Sequence, residues 1–171
     1  ALSSRERATI AGWLQQGHPG PSAEEQRALV TPSAGAGQQI DAWEAFLNVG
    51  DAKHAMTARY LYEHFFLAHV SFQNGATGAF SAPVRSTTPP GGPLSGIATV
   101  RPYDDPGVDA IYYRFRKMHS TPVYKTHMVV VFGNERLARY QELFIDPEWL
   151  ETPHRVAFGD PSGQTFHRAV Q

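Results

Sequence analysis

Residues 58–72, ARYLYEHFFLAHVSF, place four ionisable side chains within an aromatic segment: Arg59, Glu63, His64 and His69. Read as one helix, the segment is apolar around its whole circumference, which is typical of a buried helix. Burying ionisable groups costs free energy unless each has a partner, and titratable clusters concentrate at functional sites. These four side chains are therefore candidates for catalytic groups that line a site.

Each of these groups also has a structural interpretation. Arg59 and Glu63 are four residues apart, so they can pair with each other on one helix. A histidine in an apolar helix is often simply hydrogen-bonded within the packing. On a helix, His64 and His69 would point about 140° away from each other, so they could not chelate one ion together.

A second group of basic side chains lies in predicted loops and strands: Arg85, Arg101, Arg114, Arg116, Lys125 and His127. Such a set suits an anion, for instance a carboxylate or a lipid phosphate. The structural alternative is that Arg101 pairs with Asp104 or Asp105 in a turn. For Arg114 and Arg116 we favour a solvated strand face, whereas for Lys125 and His127 both interpretations stay open.

The composition excludes several classes of function. The formal net charge of the 171 residues is −1, so there is no broad electrostatic attraction to nucleic acid or to an anionic membrane. The absence of cysteine excludes disulfides, thiol catalysis and covalent attachment of a c-type haem within these residues. The eight histidines lack the spacing of a metal site.

The chain pattern predicts an α+β fold, with N-terminal helices followed by a small mixed or antiparallel sheet and a flanking helix. A linker is expected at 31–37, where small residues cluster. Helices are predicted at 3–16, 23–30, about 40–48, 53–72 and 134–144. Strands are predicted at 97–102, 111–116, 122–132 and 155–158, with a long loop over 73–96.

Several blocks in this order resemble the fatty acid cis/trans isomerase family. They are WEAFLN (43–48), KHAMTARYLYEHFFLAHVSF (53–72), VRSTTPPG (84–91), IATVRPYDDPG (97–107), YYRFR (112–116) and YKTHM (124–128). The resemblance implies a periplasmic, haem-containing enzyme that converts cis-unsaturated acyl chains to trans during membrane adaptation to stress. A non-catalytic lipid-binding or cytochrome-associated module is the alternative.

The resemblance also implies a division of the chain. Residues 1–30 would be the closing helices of an upstream cytochrome c-like unit, and 38–171 would be part of the isomerase core. Because this chain has no cysteine, haem c would be attached outside it, and the chain alone would be an inactive fragment.

The expected partner is an unsaturated fatty acid or a phospholipid acyl chain, with peripheral membrane contact and no nucleic acid. The candidate substrate-binding residues are Tyr62, Arg85, Arg101, Lys125 and His127.

Overall fold

The computed structural model describes residues 2–73, 75, 79–119, 129–150 and 157–162. The chain divides into two compact units, Ala1–Thr31 and Pro32–Gln171. The boundary lies at the start of the range expected to be a linker, 31–37. Within that range a helix already begins at Ala34, because the small residues there continue into the apolar helical pattern that follows.

The first unit consists of two helices, α1 (Ser4–Gln15) and α2 (Ala23–Val30). Each begins with a capping box, in which a serine hydroxyl accepts from a backbone N–H three residues later and the glutamate there accepts from the serine N–H. The capping residues are Ser3 with Glu6 and Ser22 with Glu25. Both predicted helices are thus confirmed.

The second unit combines three helices with a five-stranded mixed sheet in its described part, which confirms the α+β class. Its elements are α3 (Ala34–Leu47), α4 (Ala52–Phe65), β1 (His69–Phe72), β2 (Phe80–Ser86), β3 (Gly96–Ile97), β4 (Tyr112–Met118), β5 (Val129–Phe132) and α5 (Asn134–Tyr140). A π-helical turn, Gln141–Ile145, continues α5.

Strand β2 pairs with three other strands of the sheet. It pairs antiparallel with β4 along its whole length, from Phe80 opposite Met118 to Ser86 opposite Tyr112. It also pairs antiparallel with β1 at one end and with β3 at the other. Strand β5 extends the sheet by pairing parallel to β1.

The core of this unit is aromatic and lies between α3, α4 and the sheet. Trp43 of α3 is fully buried and stacks on Phe132 of β5, with ring centroids 4.3 Å apart. Phe72 and Phe115 pack edge-on against each other and against Phe132. This packing brings α4 against the sheet and buries one side of the helix, whereas His64 on its other side stays exposed.

The prediction of one helix over 53–72 is wrong beyond Phe65. Helix α4 ends there, and His69–Phe72 form the buried strand β1. The angle that we expected between His64 and His69 therefore does not apply. A strand buried on both faces reads as a continuous apolar run, and such a run cannot be told from a buried helix by periodicity.

The prediction of a loop over 73–96 is also wrong, because that range contains β2. Pro83 lies in the middle of β2. Because proline has no N–H to donate to a neighbouring strand, its presence in the sequence argues against predicting a strand there. Predicted strand 97–102 is reduced to the pair Gly96–Ile97, whereas 111–116 is confirmed within β4.

The C-terminal predictions are partly confirmed. From 122–132 the described part, Val129–Phe132, is a strand. The helix predicted at 134–144 is confirmed as α5 followed by the π-helical turn, with Gly133 at its N-cap. From 155–158, residues 157 and 158 are not in a strand. Residues 122–128 and 155–156 lie outside the described residues.

Candidate functional site

A buried ion pair on α4 joins two of the predicted catalytic candidates. Arg59 Nε donates to Glu63 Oε1 at 2.8 Å, and both side chains are about nine-tenths buried. Arg59 Nη2 also donates to the carbonyls of Ala157 and Asp160, at 3.1 and 2.6 Å. Glu63 Oε2 accepts from the N–H and the hydroxyl of Ser162, each at 2.8 Å. The pair therefore holds segment 157–162 against α4.

Two tyrosines lie beside this pair. Tyr62 of α4 and Tyr113 of β4 are both buried, with ring centroids 5.3 Å apart. Burial raises the pKa of the Tyr62 phenol, and Arg85 only partly opposes the shift. Burial raises the pKa of Tyr113 as well, against the opposing charges of Arg59 and Arg85. Both phenols are therefore neutral at physiological pH.

A largely apolar pocket of about 370 Å³ adjoins the ion pair. Its lining comes from the end of α3 and the turn after it (Leu47, Asn48, Val49, Gly50), α4 (Ala55, Met56, Arg59), the stretch before and into β4 (Val108, Asp109, Ala110, Ile111, Tyr112, Tyr113), and Phe158 and Ser162. The volume falls in the range of small-molecule sites, which are mostly apolar with a few polar groups.

The two candidate histidines do not line this pocket. His64 lies on the exposed side of α4, where its ring packs on Tyr60 and its Nδ1 is 2.7 Å from the Tyr60 carbonyl oxygen. His69 is buried in β1, with its ring centroid 5.6 Å from that of Phe80. The structure thus places Arg59 and Glu63 together and separates the two histidines from them.

The candidate substrate-binding residues lie in different parts of the structure. Arg85 of β2 is buried with its guanidinium over the ring of Tyr62, at 5.4 Å, so both belong to the polar cluster beside the pocket. Arg101 is exposed in a turn, where its backbone N–H donates to the Asp104 carboxylate. The ion pair expected between the Arg101 side chain and Asp104 or Asp105 is not among those of the described residues. Lys125 and His127 lie outside the described residues.

The sequence analysis did not predict a second buried ion pair, between Arg114 and Glu44. Arg114 of β4 is only 9% exposed and donates from Nε to Glu44 of α3 at 3.2 Å, so the solvated strand face expected for it is wrong. Glu44 also accepts from the Phe115 N–H at 2.9 Å, and Arg114 donates to the Gly92 carbonyl at 3.0 Å. Both faces of β4 are covered here, whereas Arg116 is exposed as predicted.

The Glu44 carboxyl group should make stability depend on pH. Burial raises its pKa above the ordinary value of 4.5, against the opposing effects of the Phe115 N–H and Arg114. A carboxyl whose pKa is higher in the folded state binds its proton more tightly there, so its contribution to stability falls as pH rises through that window. We expect the free energy of unfolding of wild type, relative to Glu44→Gln, to increase from neutral pH down toward 4.5.

Urea denaturation of both proteins across this pH range checks the expectation. The exposed Glu142→Gln variant serves as the control, and its difference from wild type should not follow the same course. A wild-type advantage over Glu44→Gln that shrinks on acidification would contradict the assignment.

The described residues do not fit a c-type haem. Covalent attachment needs cysteine thiols, and none of the 171 residues is cysteine. The pocket lining includes Met56 but no histidine. In the described ranges, no cluster of three or more histidine or acidic side chains could hold a metal ion. A search of the same ranges finds no helix with the length and hydropathy to cross a membrane.

An apolar pocket beside a buried polar cluster, within an α+β unit, is the kind of site that binds a small apolar molecule. A family model supplies the class of molecule. The model described as fatty acid cis/trans isomerase (CTI) matches residues 1–160, and the chain belongs to this family. Comparison with curated proteins and with solved structures finds no significant match.

Proposed function

We propose that this chain is part of a haem-dependent isomerase that converts cis-unsaturated fatty acyl chains to trans, and that its pocket receives the acyl chain. The observation that carries the proposal is the apolar pocket of about 370 Å³ in a chain of the fatty acid cis/trans isomerase family. The haem would be attached outside these 171 residues, since they contain no cysteine. The setting would be the periplasm, at the membrane surface, during adaptation to stress.

The role of the described residues in this proposal is binding. The side chains of Met56, Ile111 and Phe158 give an acyl chain an apolar wall, which excludes water and restricts the positions of the double bond. Each methylene group that leaves water for such a wall contributes about 0.8 kcal/mol. The ion pair of Arg59 and Glu63 keeps the backbone of segment 157–162 in place along one side of the pocket.

Gas chromatography of cis-palmitoleate incubated with protein expressed from the complete gene tests the proposal, with the haem absorption spectrum recorded on the same sample. We expect trans product from that protein and none from the 171-residue chain alone. Binding of the fatty acid without any change in double-bond geometry would instead assign a non-catalytic lipid-binding module. A reading frame without haem-attaching cysteines would contradict haem dependence.

A further inference from the structure

Arg85 is a buried cation without a carboxylate partner in the part of the chain that the structure describes. Its side chain is 1% exposed, on β2. The other two buried arginines of the described ranges each pair with a glutamate within 4.0 Å, Arg59 with Glu63 and Arg114 with Glu44. No described Asp or Glu lies within that distance of the Arg85 guanidinium.

The hydrogen-bond partners of Arg85 are neutral groups. Its Nη1 donates to the Asp104 carbonyl at 2.9 Å and its Nη2 to the Thr99 hydroxyl at 2.6 Å. Its Nε has no hydrogen-bond partner among the described residues. A guanidinium carries five N–H donors, and burying its charge without neutralisation is costly. The site therefore has both donors and charge to offer an anion.

Neighbouring residues do not supply the missing negative charge. Tyr62, whose ring lies under the guanidinium, remains a neutral phenol because burial raises its pKa. Glu63 is already paired with Arg59. The cluster of Arg59, Glu63 and Arg85 thus has one net positive charge, which matches a single monovalent anion.

Arg85 lies beside two residues that line the pocket, Phe158 and Tyr113. Phe158 lines the pocket, and its ring centroid lies 4.9 Å from the Arg59 Cζ and 5.9 Å from the Arg85 Cζ. Tyr113, which also lines the pocket, is the residue of β4 opposite Arg85. Phe158 is 39% exposed, so its ring is not locked in the core. The Phe158 ring therefore lies both at the pocket and beside the Arg85 guanidinium.

We propose that Arg85 is the residue that anchors the carboxylate end of the substrate, reached by displacement of the Phe158 ring, while the alkyl chain occupies the pocket. This inference rests on the proposed function. A carboxylate presents two oxygens that a guanidinium can bind together through parallel N–H donors. In the structure the same guanidinium holds the 99–104 turn against β2 through Thr99 and Asp104.

The test compares binding of dodecanoate and 1-dodecanol to the 171-residue chain by calorimetry, in wild type and Arg85→Gln. Both ligands are saturated, so binding is measured apart from isomerisation. We expect wild type to prefer dodecanoate and Arg85→Gln to lose dodecanoate affinity by roughly 10- to 100-fold, with dodecanol affinity unchanged. The matched control is Arg116→Gln, which removes an exposed arginine of β4 and should keep the wild-type preference.

Arg85→Lys covers the case in which Arg85→Gln does not fold. It retains the charge but not the paired donors, so it should still prefer dodecanoate to dodecanol, by a smaller factor than wild type. A wild-type protein that binds dodecanoate no more tightly than dodecanol would overturn the inference, as would tighter binding of dodecyl phosphate. Either result would leave the isomerase proposal standing if trans product still forms.

Discussion

An Ala55→Phe substitution will lower kcat/KM for isomerisation of cis-palmitoleate on the order of 100-fold, if the acyl chain occupies the pocket. Ala55 lies on α4 and lines the pocket, so a phenyl ring there takes space that the chain would use. Excluding about four methylene groups, at about 0.8 kcal/mol each, removes about 3 kcal/mol of binding. The loss appears in kcat/KM, measured by gas chromatography on protein expressed from the complete gene.

Ala52→Phe is the matched control for this substitution. Ala52 is the first residue of the same helix, is exposed and does not line the pocket. Its variant should retain wild-type kcat/KM within about twofold, because an exposed substitution away from the site rarely matters. An Ala55→Phe protein with native circular dichroism and undiminished kcat/KM would show that the acyl chain binds elsewhere.

Glu63→Gln will lower the free energy of unfolding by about 3–5 kcal/mol. The substitution leaves the Arg59 charge buried without its carboxylate, and it weakens the hydrogen bonds that Ser162 donates. Removing one partner of a buried pair costs more than the pair itself contributes, because the remaining charge stays desolvated. Urea denaturation followed by circular dichroism measures the loss.

The exposed pair of Arg139 and Glu142 provides the comparison. Its Nη1–Oε2 distance of 3.0 Å is similar, but both side chains are more than half exposed. Glu142→Gln should therefore cost less than about 1 kcal/mol. Equal losses for Glu63→Gln and Glu142→Gln would contradict the burial of the α4 pair.

Local chemistry made the helices predictable where a short motif begins them. Ser3 with Glu6 and Ser22 with Glu25 satisfy backbone donors three residues apart, so the information that starts α1 and α2 lies within four residues. Strand β1 has no such motif. Phe66 and Leu67 continue the apolar pattern of α4, and only the pairing of Val70 with β2 and β5 makes the next residues a strand.

The contacts of the candidate site were likewise predictable only between residues that are close in sequence. The Arg59–Glu63 pair follows from four-residue spacing on a helix, and the structure contains it. Its further partners follow from no local pattern, since Ser162 lies 99 residues beyond Glu63. The Glu44–Arg114 pair spans 70 residues, so alternation along β4 could not show that α3 covers Arg114. Tertiary packing, which sequence periodicity does not encode, decides these partners.

Photolabelling tests most directly whether the pocket holds the acyl chain. A palmitoleate with a diazirine at its methyl end would be irradiated with the protein, and the labelled peptides identified by mass spectrometry. We predict labels within 47–59 and 108–113, which supply most of the pocket lining, and their loss on addition of excess unlabelled palmitoleate. Labels confined to the exposed apolar residues of α1 and α2, such as Trp13 and Leu29, would contradict an acyl site in this pocket.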